Sequence, residues 1–476
     1  MTDHVTMHRV HELPPRGRGD RARVPSWRSD ALRTTFWVVP TVLIVVAALL
    51  FLATFEIDWA VYHHHLSLPA WVESGSPDAG RQILIAIAAA IITTVGVVFS
   101  ITILALTLAS QQFGPRMMRN FIRDPGNQLT LGVFVGTFVY SVLALGSITS
   151  LPGGAFVPHL TITVAEGLLL VDLAVLIYFI HHIAKSIQLP EVIAGIARDL
   201  SRAIEAEFPD HVPADAGRPD AVDAEGRTDA SAELLDRVDT RGADVVARHS
   251  GYLQFVSYGS LIDIAETLDA VIRLAHRPGH FVVAGRPLAK VWPAGAAAQV
   301  AAALDKSHVT GPHRTLTQDP VFAIDQLVEI AIRALSPAVN DTFTALTCID
   351  WLSAGLSEIS GRVLEEGIYR GRSGKIRLIE FDPSYDRMLN RAFDKVRQAG
   401  RGMPAVIIRL LDALAHIAEH AEDGERQSAI LRQAEMIVRG AEEEVREPND
   451  LADIRRRYGR LVETVSAGGA GTGPER

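Results

Sequence analysis

"ILIAIAAAIITTVGVVFSITILALTLA", Ile83 to Ala109, runs for 27 positions without a charged side chain. A bilayer's hydrocarbon core is about 30 Å thick and takes roughly 20 apolar residues of helix to cross. Three further runs qualify: "FWVVPTVLIVVAALLFLATF" (Phe36 to Phe55), "LTLGVFVGTFVYSVLALGSI" (Leu129 to Ile148), and a fourth from about Leu160 to Ile180. In lipid each run can satisfy its backbone hydrogen bonds only as a helix. The first is too long for the apolar core of a signal peptide, and no small-residue cleavage pattern follows it. The reading is an α-helical integral membrane protein with four transmembrane helices, whose first partner is the lipid bilayer itself.

Of the 476 residues 48% are hydrophobic, and the excess lies before about residue 190. The remainder has ordinary soluble composition, so a second, cytoplasmic α+β domain, mostly helical, is expected. The division read from composition is a disordered basic terminus at 1–34, a four-helix membrane domain at 35–182 and a stalk helix at 183–209. An acidic linker at 210–248, the α+β domain at 249–465 and a disordered tail at 466–476 follow. The net charge of −9, concentrated in the second part, argues against nucleic acid as a partner. The single cysteine, Cys348, excludes an internal disulfide and any cysteine-based metal site.

Arginine and lysine set orientation. The first 34 residues hold seven arginines, and the 108–128 connection holds Arg116, Arg119 and Arg123. The 56–82 connection has Arg81 alone, against Glu56, Asp58, Glu73 and Asp78, and the "SLPGGAFVPH" connection has none. Lys185, Arg198 and Arg202 follow the fourth run. This alternation places both termini in the cytoplasm. Arg116, Arg119 and Arg123 then form a membrane-interface elbow. Gly114-Pro115 breaks the helix there, "MMRNFI" is a short surface segment, and Asp124-Pro125-Gly126-Asn127 turns the chain into the third span. Trp37 and Trp59 are interface anchors.

Polar groups inside the spans are the candidates for function. Gly132 and Gly136 give the third span a GxxxG surface on which another helix can pack closely. Thr93, Ser100 and Thr107 recur every seven residues and share one face of the second span with Gly96. That stripe serves either interhelical hydrogen bonding or a pore lining. Glu166 and Asp172 lie inside the fourth span with no lysine or arginine in any span to pair with them. An ionised carboxylate there costs several kcal/mol unless hydrated, paired or protonated. Six residues is a 240° offset, so the two do not share a face. Glu166, Asp172, Thr93, Ser100 and Thr107 together make a possible ion or proton path. The triplet His63-His64-His65 is not read as a metal site, and His181 and His182 are read as interfacial residues at a helix end.

In the second part "SGYLQFVS" reads as a strand, "LIDIAETLDAVIRLA" as a helix and "GHFVVAGRPLAKVWP" as two strands around Gly285. The last resembles the turn-and-strand pattern of lipoyl-type barrel-sandwich modules, but Lys290 falls within the second strand rather than at a hairpin tip. "DPVFAIDQLVEIAIRAL" and "TFTALTCIDWLSAGL" form an αα-hairpin across "SPAVND". Ser336, Asn340 and Asp341 there are either helix caps or a polar site at a helix N-terminus. "GRSGK", Gly371 to Lys375, lacks phosphate-loop spacing and leads into the strand "IRLIEF". Two or three helices complete the chain to about Val465. No HExxH, GxSxG or CxxC occurs, so neither an enzyme nor a cofactor is implied.

These residues resemble a family of predicted bacterial membrane proteins catalogued only as a domain of unknown function (DUF2254). The matching pieces include "GVVFSITILALTLASQQFGPRMMRNFIRDPGNQ", "IYFIHHIAKSIQ", "RPGHFVVAGRPLAKVWP" and "ALSPAVNDTFTALTCIDWL", spread over about residues 75–440. The resemblance implies an integral membrane protein with a cytoplasmic C-terminal region and transfers no activity. Four spans make a thin bundle, so a homo-oligomer is expected. The leading functional expectation is a channel or transporter-like protein controlled by its cytoplasmic domain. The other is a membrane-anchored regulator or scaffold that binds a cytoplasmic partner or small ligand.

Overall fold

The computed structural model describes residues 37–63, 69, 76–113, 124–151, 154–208, 233–362, 367–380, 384–421 and 423–470. The basic terminus, Gly114-Pro115, "MMRNFI", Arg116, Arg119, Arg123, His64, His65 and the last six residues lie outside the described residues. By internal packing the chain divides into a unit of Arg28–Ile193 and one from Ala194 onward.

The first unit holds four helices long and apolar enough to cross a membrane: α1 (Val38–Tyr62), α2 (Pro77–Phe113), α3 (Pro125–Ser147) and α4 (His159–Ser186). Half of the apolar window of α3 is buried, against 11% in α1, so α3 is the central helix. Large apolar side chains face outward around it, among them Val45, Leu49, Ile92, Leu104, Leu170 and Ile177. That arrangement suits lipid as solvent. The GxxxG surface is used as its spacing requires: a Cβ on Gly132 would lie 2.5 Å from Leu43 Cδ1 and 3.0 Å from Pro40 Cα, and one on Gly136 would lie 3.4 Å from Ala47 Cβ. Between α3 and α4 the chain forms a short antiparallel hairpin, β1 (Thr149–Leu151) with β2 (Gly154–Phe156), where a plain loop was expected. Phe156 is buried and meets Phe55, Trp59 and Tyr62 of α1 edge to face, with centroids 5.5–5.7 Å apart. The anchoring role read for Trp59 is thus part of an aromatic cluster at this end. The division of the chain falls within α5 (Leu189–Glu207), which starts beside Pro190, a position a helix's first turn tolerates.

The second unit is α+β. The segment expected to be a linker ends sooner than read, since a helix at 233–241 (α6) and strand β3 (Ala243–Val246) fill its last part. Next come β4 (Gly251–Val256), α7 (Tyr258–Thr267), β5 (Val271–Leu274), β6 (Phe281–Val282), β7 (Pro287–Trp292), α8 (Ala297–Ser307) and β8 (His308–Gly311). The helical hairpin α9 (Pro320–Ala334) and α10 (Thr342–Ser360) leads to β9 (Ile368–Arg370) and β10 (Ile376–Ile379). Four helices end the described chain, α11 (Tyr385–Ala399), α12 (Pro404–Ala418), α13 (Gly424–Glu444) and α14 (Pro448–Ala470), where two or three were expected. The first sheet has the order β3-β7-β5-β10-β9, antiparallel except for β5 with β10, and the second has β6-β4-β8.

Two expectations are corrected here. "LIDIAETLDAVIRLA" is a helix only to Thr267. Asp269 takes a left-handed conformation (φ 45°) that ends it, and "VIRL", which opens on the β-branched Val271 and Ile272 and has three of its four residues buried, becomes a central strand. The strands around Gly285 do not pair with each other: β6 joins β4, whereas β7 lies between β3 and β5. This is not a barrel sandwich, and Lys290 sits mid-strand opposite Asp244 and Arg273.

The turn "RPGH" before β6 is fixed by charge. Gly279 has φ +91°, and a Cβ there would lie 2.1 Å from Asp319 Oδ2. Arg314 donates to both oxygens of Asp319 (2.8 and 2.9 Å) and also pairs with Asp325, which Arg391 of α11 grips at 2.5 and 2.7 Å. Beside them Arg277 Nε donates to His280 Nε2 at 3.2 Å. Only a neutral imidazole can accept that bond. Burial, then the nearby arginines, hold His280 down to about 4.

Candidate functional site

A column of buried polar side chains runs along α3 between α1 and α4. At the hairpin end Asp58, in the last turns of α1, is 4% exposed. Its Oδ1 accepts from the Leu160 amide at 2.9 Å, and its Oδ2 accepts from the Thr161 amide (2.9 Å) and hydroxyl (2.7 Å). The first amides of a helix have no partner within it and carry the positive end of its dipole. Asp58 therefore caps α4 from another helix. Tyr140 of α3 is fully buried. Its hydroxyl donates to the Thr161 carbonyl at 3.2 Å and lies 2.9 Å from the Thr54 hydroxyl.

Midway along the bundle Thr137 donates to Asp172 Oδ1 at 3.2 Å. Asp172 is 2% exposed, and its other oxygen is buried with no hydrogen-bond partner among the described residues. Ser141, one turn along α3, is fully buried and donates to the Thr137 carbonyl. At the far end Asp124 caps α3, accepting from the Gly126 amide at 2.8 Å, while its second oxygen is 2.7 Å from His182 Nε2 of α4. The His182 ring stacks on Tyr178, with centroids 5.4 Å apart and planes at 16°. Gly126 is required by this close approach, since a Cβ would lie 2.6 Å from His182 Nε2. Thr130, fully buried, donates to the Gly126 carbonyl, and the Asn127 side-chain oxygen is buried without a partner among the described residues.

From Asp124 to Tyr140 the rise is about 24 Å at about 1.5 Å per residue, most of a bilayer core. The column is built almost entirely from hydroxyls, carboxyls and an imidazole, groups that give or take protons. It carries three carboxyls and no lysine or arginine, which favours protons or cations over anions. An unpaired buried oxygen costs about 1–3 kcal/mol, so its retention at Asp172 asks for an explanation.

Of the five path residues expected from sequence, only Asp172 stands in this column. Glu166 is exposed on the outer face of α4, as the 240° offset requires. Thr93, Ser100 and Thr107 are exposed on α2, and each hydroxyl donates to the carbonyl four residues back at 2.8–2.9 Å. Nothing lies within 4 Å of a Cβ placed on Gly96. His181 is exposed, whereas His182 holds Asp124.

In the second unit Asp341 caps α10, accepting from the Thr344 amide (3.1 Å) and hydroxyl (2.6 Å). Ser336 donates to the Arg333 carbonyl at 2.7 Å, and Asn340 takes φ 50°. The three residues form one turn whose helix N-terminus already holds a carboxylate. No group of three or more His, Cys, Asp or Glu among the described residues could hold a metal.

Sequence reasoning missed Asp58, Thr54, Thr137, Tyr140, Thr161, Asp124 and His182. A signal existed for one pair: Thr130 and Thr137 are seven apart, the spacing that drew attention to the α2 stripe. Asp58 was assigned to a loop because the apolar run stops at Phe55, although the helix continues.

No solved structure matches the chain. Uncharacterised proteins of Mycobacterium bovis and Mycobacterium tuberculosis are each 33% identical to it over 402 residues, covering 83% of this chain and 74% of the relative. A family model described as predicted membrane protein (DUF2254) matches residues 33–416. With four apolar helices and a match over most of its length, the chain belongs to the DUF2254 family of predicted membrane proteins.

Proposed function

We propose that this chain is a channel or transporter-like protein that passes protons or small cations along the polar column, with Asp172 as the titrating group midway. The observation that carries this is the half-satisfied carboxyl of Asp172, buried at the middle of α4 with protic side chains toward both ends of the bundle. Asp124 with His182 is the acid–base pair at one mouth, and the Asp58, Thr161 and Tyr140 group stands at the other. The arginine distribution supports an inner-membrane protein with both termini in the cytoplasm, where the second unit is the regulatory part. The exposed Glu166 and the α2 stripe support a homo-oligomer, because a second copy would remove them from lipid.

Purified protein in liposomes carrying a pH-sensitive dye should dissipate a pH gradient. Asp172→Asn should cut the flux about 100-fold, the lower end for loss of a positioned proton donor. No flux above empty liposomes for H+, Na+ or K+ overturns the proposal.

A further inference from the structure

A second polar site lies in the unit that begins at Ala194. Helices α10, α12 and α14 enclose a cleft of about 550 Å³, within the range of small-molecule sites, roughly 300–1,000 Å³. Three guanidiniums line it, Arg409, Arg457 and Arg460. Two are held by carboxylates that also line the cleft: Arg409 by Asp350 at 3.1 Å and Arg457 by Asp412 at 2.5 and 2.6 Å. A clamped guanidinium loses less freedom when it binds and keeps its remaining N–H groups for a ligand.

Two donors in the cleft are unused among the described residues. Arg460 makes no ion pair and the Ser357 hydroxyl makes no hydrogen bond, whereas Arg457 Nε is buried and turned to Asp453 at 3.9 Å. Asp350 answers Arg409, and Asp412 and Asp453 answer Arg457, so the guanidinium without a counter-charge among the described residues is Arg460, which an anion would neutralise. Guanidiniums match phosphate oxygens in charge and planar geometry. The cleft is too large for phosphate alone, and Asp350 and Asp412 offer acceptors to hydroxyl groups. Among the described residues no Phe, Tyr or Trp lines it, and its one aromatic ring is the imidazole of His416, so the lining offers less to a nucleobase than to a hydroxylated body.

We infer that this cleft binds a phosphate ester with a small hydroxylated body, of the glycerol phosphate or sugar phosphate class. Arg460, Arg457 and Ser357 hold the phosphate, and the aspartates hold the hydroxyls. The same chemistry is offered by a soluble metabolite and by a phospholipid headgroup. The inference is independent of ion passage through the membrane unit.

The test uses the full chain in phosphatidylcholine nanodiscs, titrated with glycerol 3-phosphate by calorimetry, with inorganic phosphate as the weaker reference. One saturable site per chain is expected. Binding should be about tenfold weaker in Arg460→Gln and also weakened in Ser357→Ala, the general effect of losing a hydrogen bond to a charged group. Both positions are at least partly exposed, and an unchanged Tm shows that the variants fold. Repeating the titration with phosphatidic acid in the disc separates the sources: competition assigns the headgroup, and unchanged binding assigns the soluble ester. Absence of saturable binding, or equal affinity in wild type and Arg460→Gln, overturns the inference.

Discussion

Asp58 and Asp172 are both carboxyls within transmembrane helices, and their surroundings differ in kind. Asp58 accepts three hydrogen bonds at the start of α4 and is structurally complete. Asp172 accepts one and keeps an unbonded oxygen. Sequence alone separated Glu166 from Asp172 by helix geometry but put Asp58 in a connection rather than in the bundle, because cross-helix capping depends on which helix ends meet. His280 is a second case in which partners decide chemistry. Its folded value of about 4 lies below the usual imidazole value of about 6.5. The unfolded chain then binds more protons than the folded one between those values. His280 therefore adds stability that is complete above about pH 6.5 and is lost as pH falls toward 4. Histidine C2-hydrogen exchange, followed by mass spectrometry on the full chain in detergent, should place the His280 transition near pH 4. A transition near pH 6.5 would contradict the arginine-lined, half-buried environment.

At the scale of elements, the strongest periodic signals were the most legible. All four spans, the α9–α10 hairpin and strands β4 and β10 stand where apolar period and turn residues put them. "DAVIRL" was misread because a short apolar run next to a helix carries no period of its own, and only pairing with β10 and β7 makes it a strand. The β6 and β7 strands were read as partners because they are neighbours in sequence, whereas each completes a different sheet. The tight α1–α3 packing gives a direct test. Gly132→Leu would drive side-chain atoms into Leu43 and the Pro40 backbone, and overpacking of this kind costs about 1–3 kcal/mol. The Tm of the purified protein should fall clearly, while Gly146→Leu, on the same helix with nothing within 4 Å, should leave it nearly unchanged. Equal Tm values for the two variants would contradict the packing.

At the scale of the molecule, composition alone located the change from lipid-facing to water-facing sequence near residue 190, close to the boundary after Ile193. The candidate column was far less legible, because it depends on three helices meeting and its members are ordinary threonines, a serine, a tyrosine, a histidine and three aspartates. The second unit has its own sheets and its own apolar core, and its helices pack closely too, with Leu200 of α5 filling the space beside Gly355 of α10. A fragment from Ala194 to Ala470 should therefore express in soluble form and unfold cooperatively in urea. Loss of cooperative unfolding in that fragment, but not in one that restores the membrane helices, would show that this core does not suffice.

The cap that Asp58 places on α4 also bears on how the chain is made. Its Thr161 partner lies 103 residues further on. At about 5–20 residues per second, Asp58 waits about 5–20 s after its own synthesis before that partner exists. In that interval α1 has no capping partner from α4, and arrival of α4 both neutralises the carboxylate's solvation demand and closes the bundle. Assembly of the four helices is thus gated by the last of them to be translated.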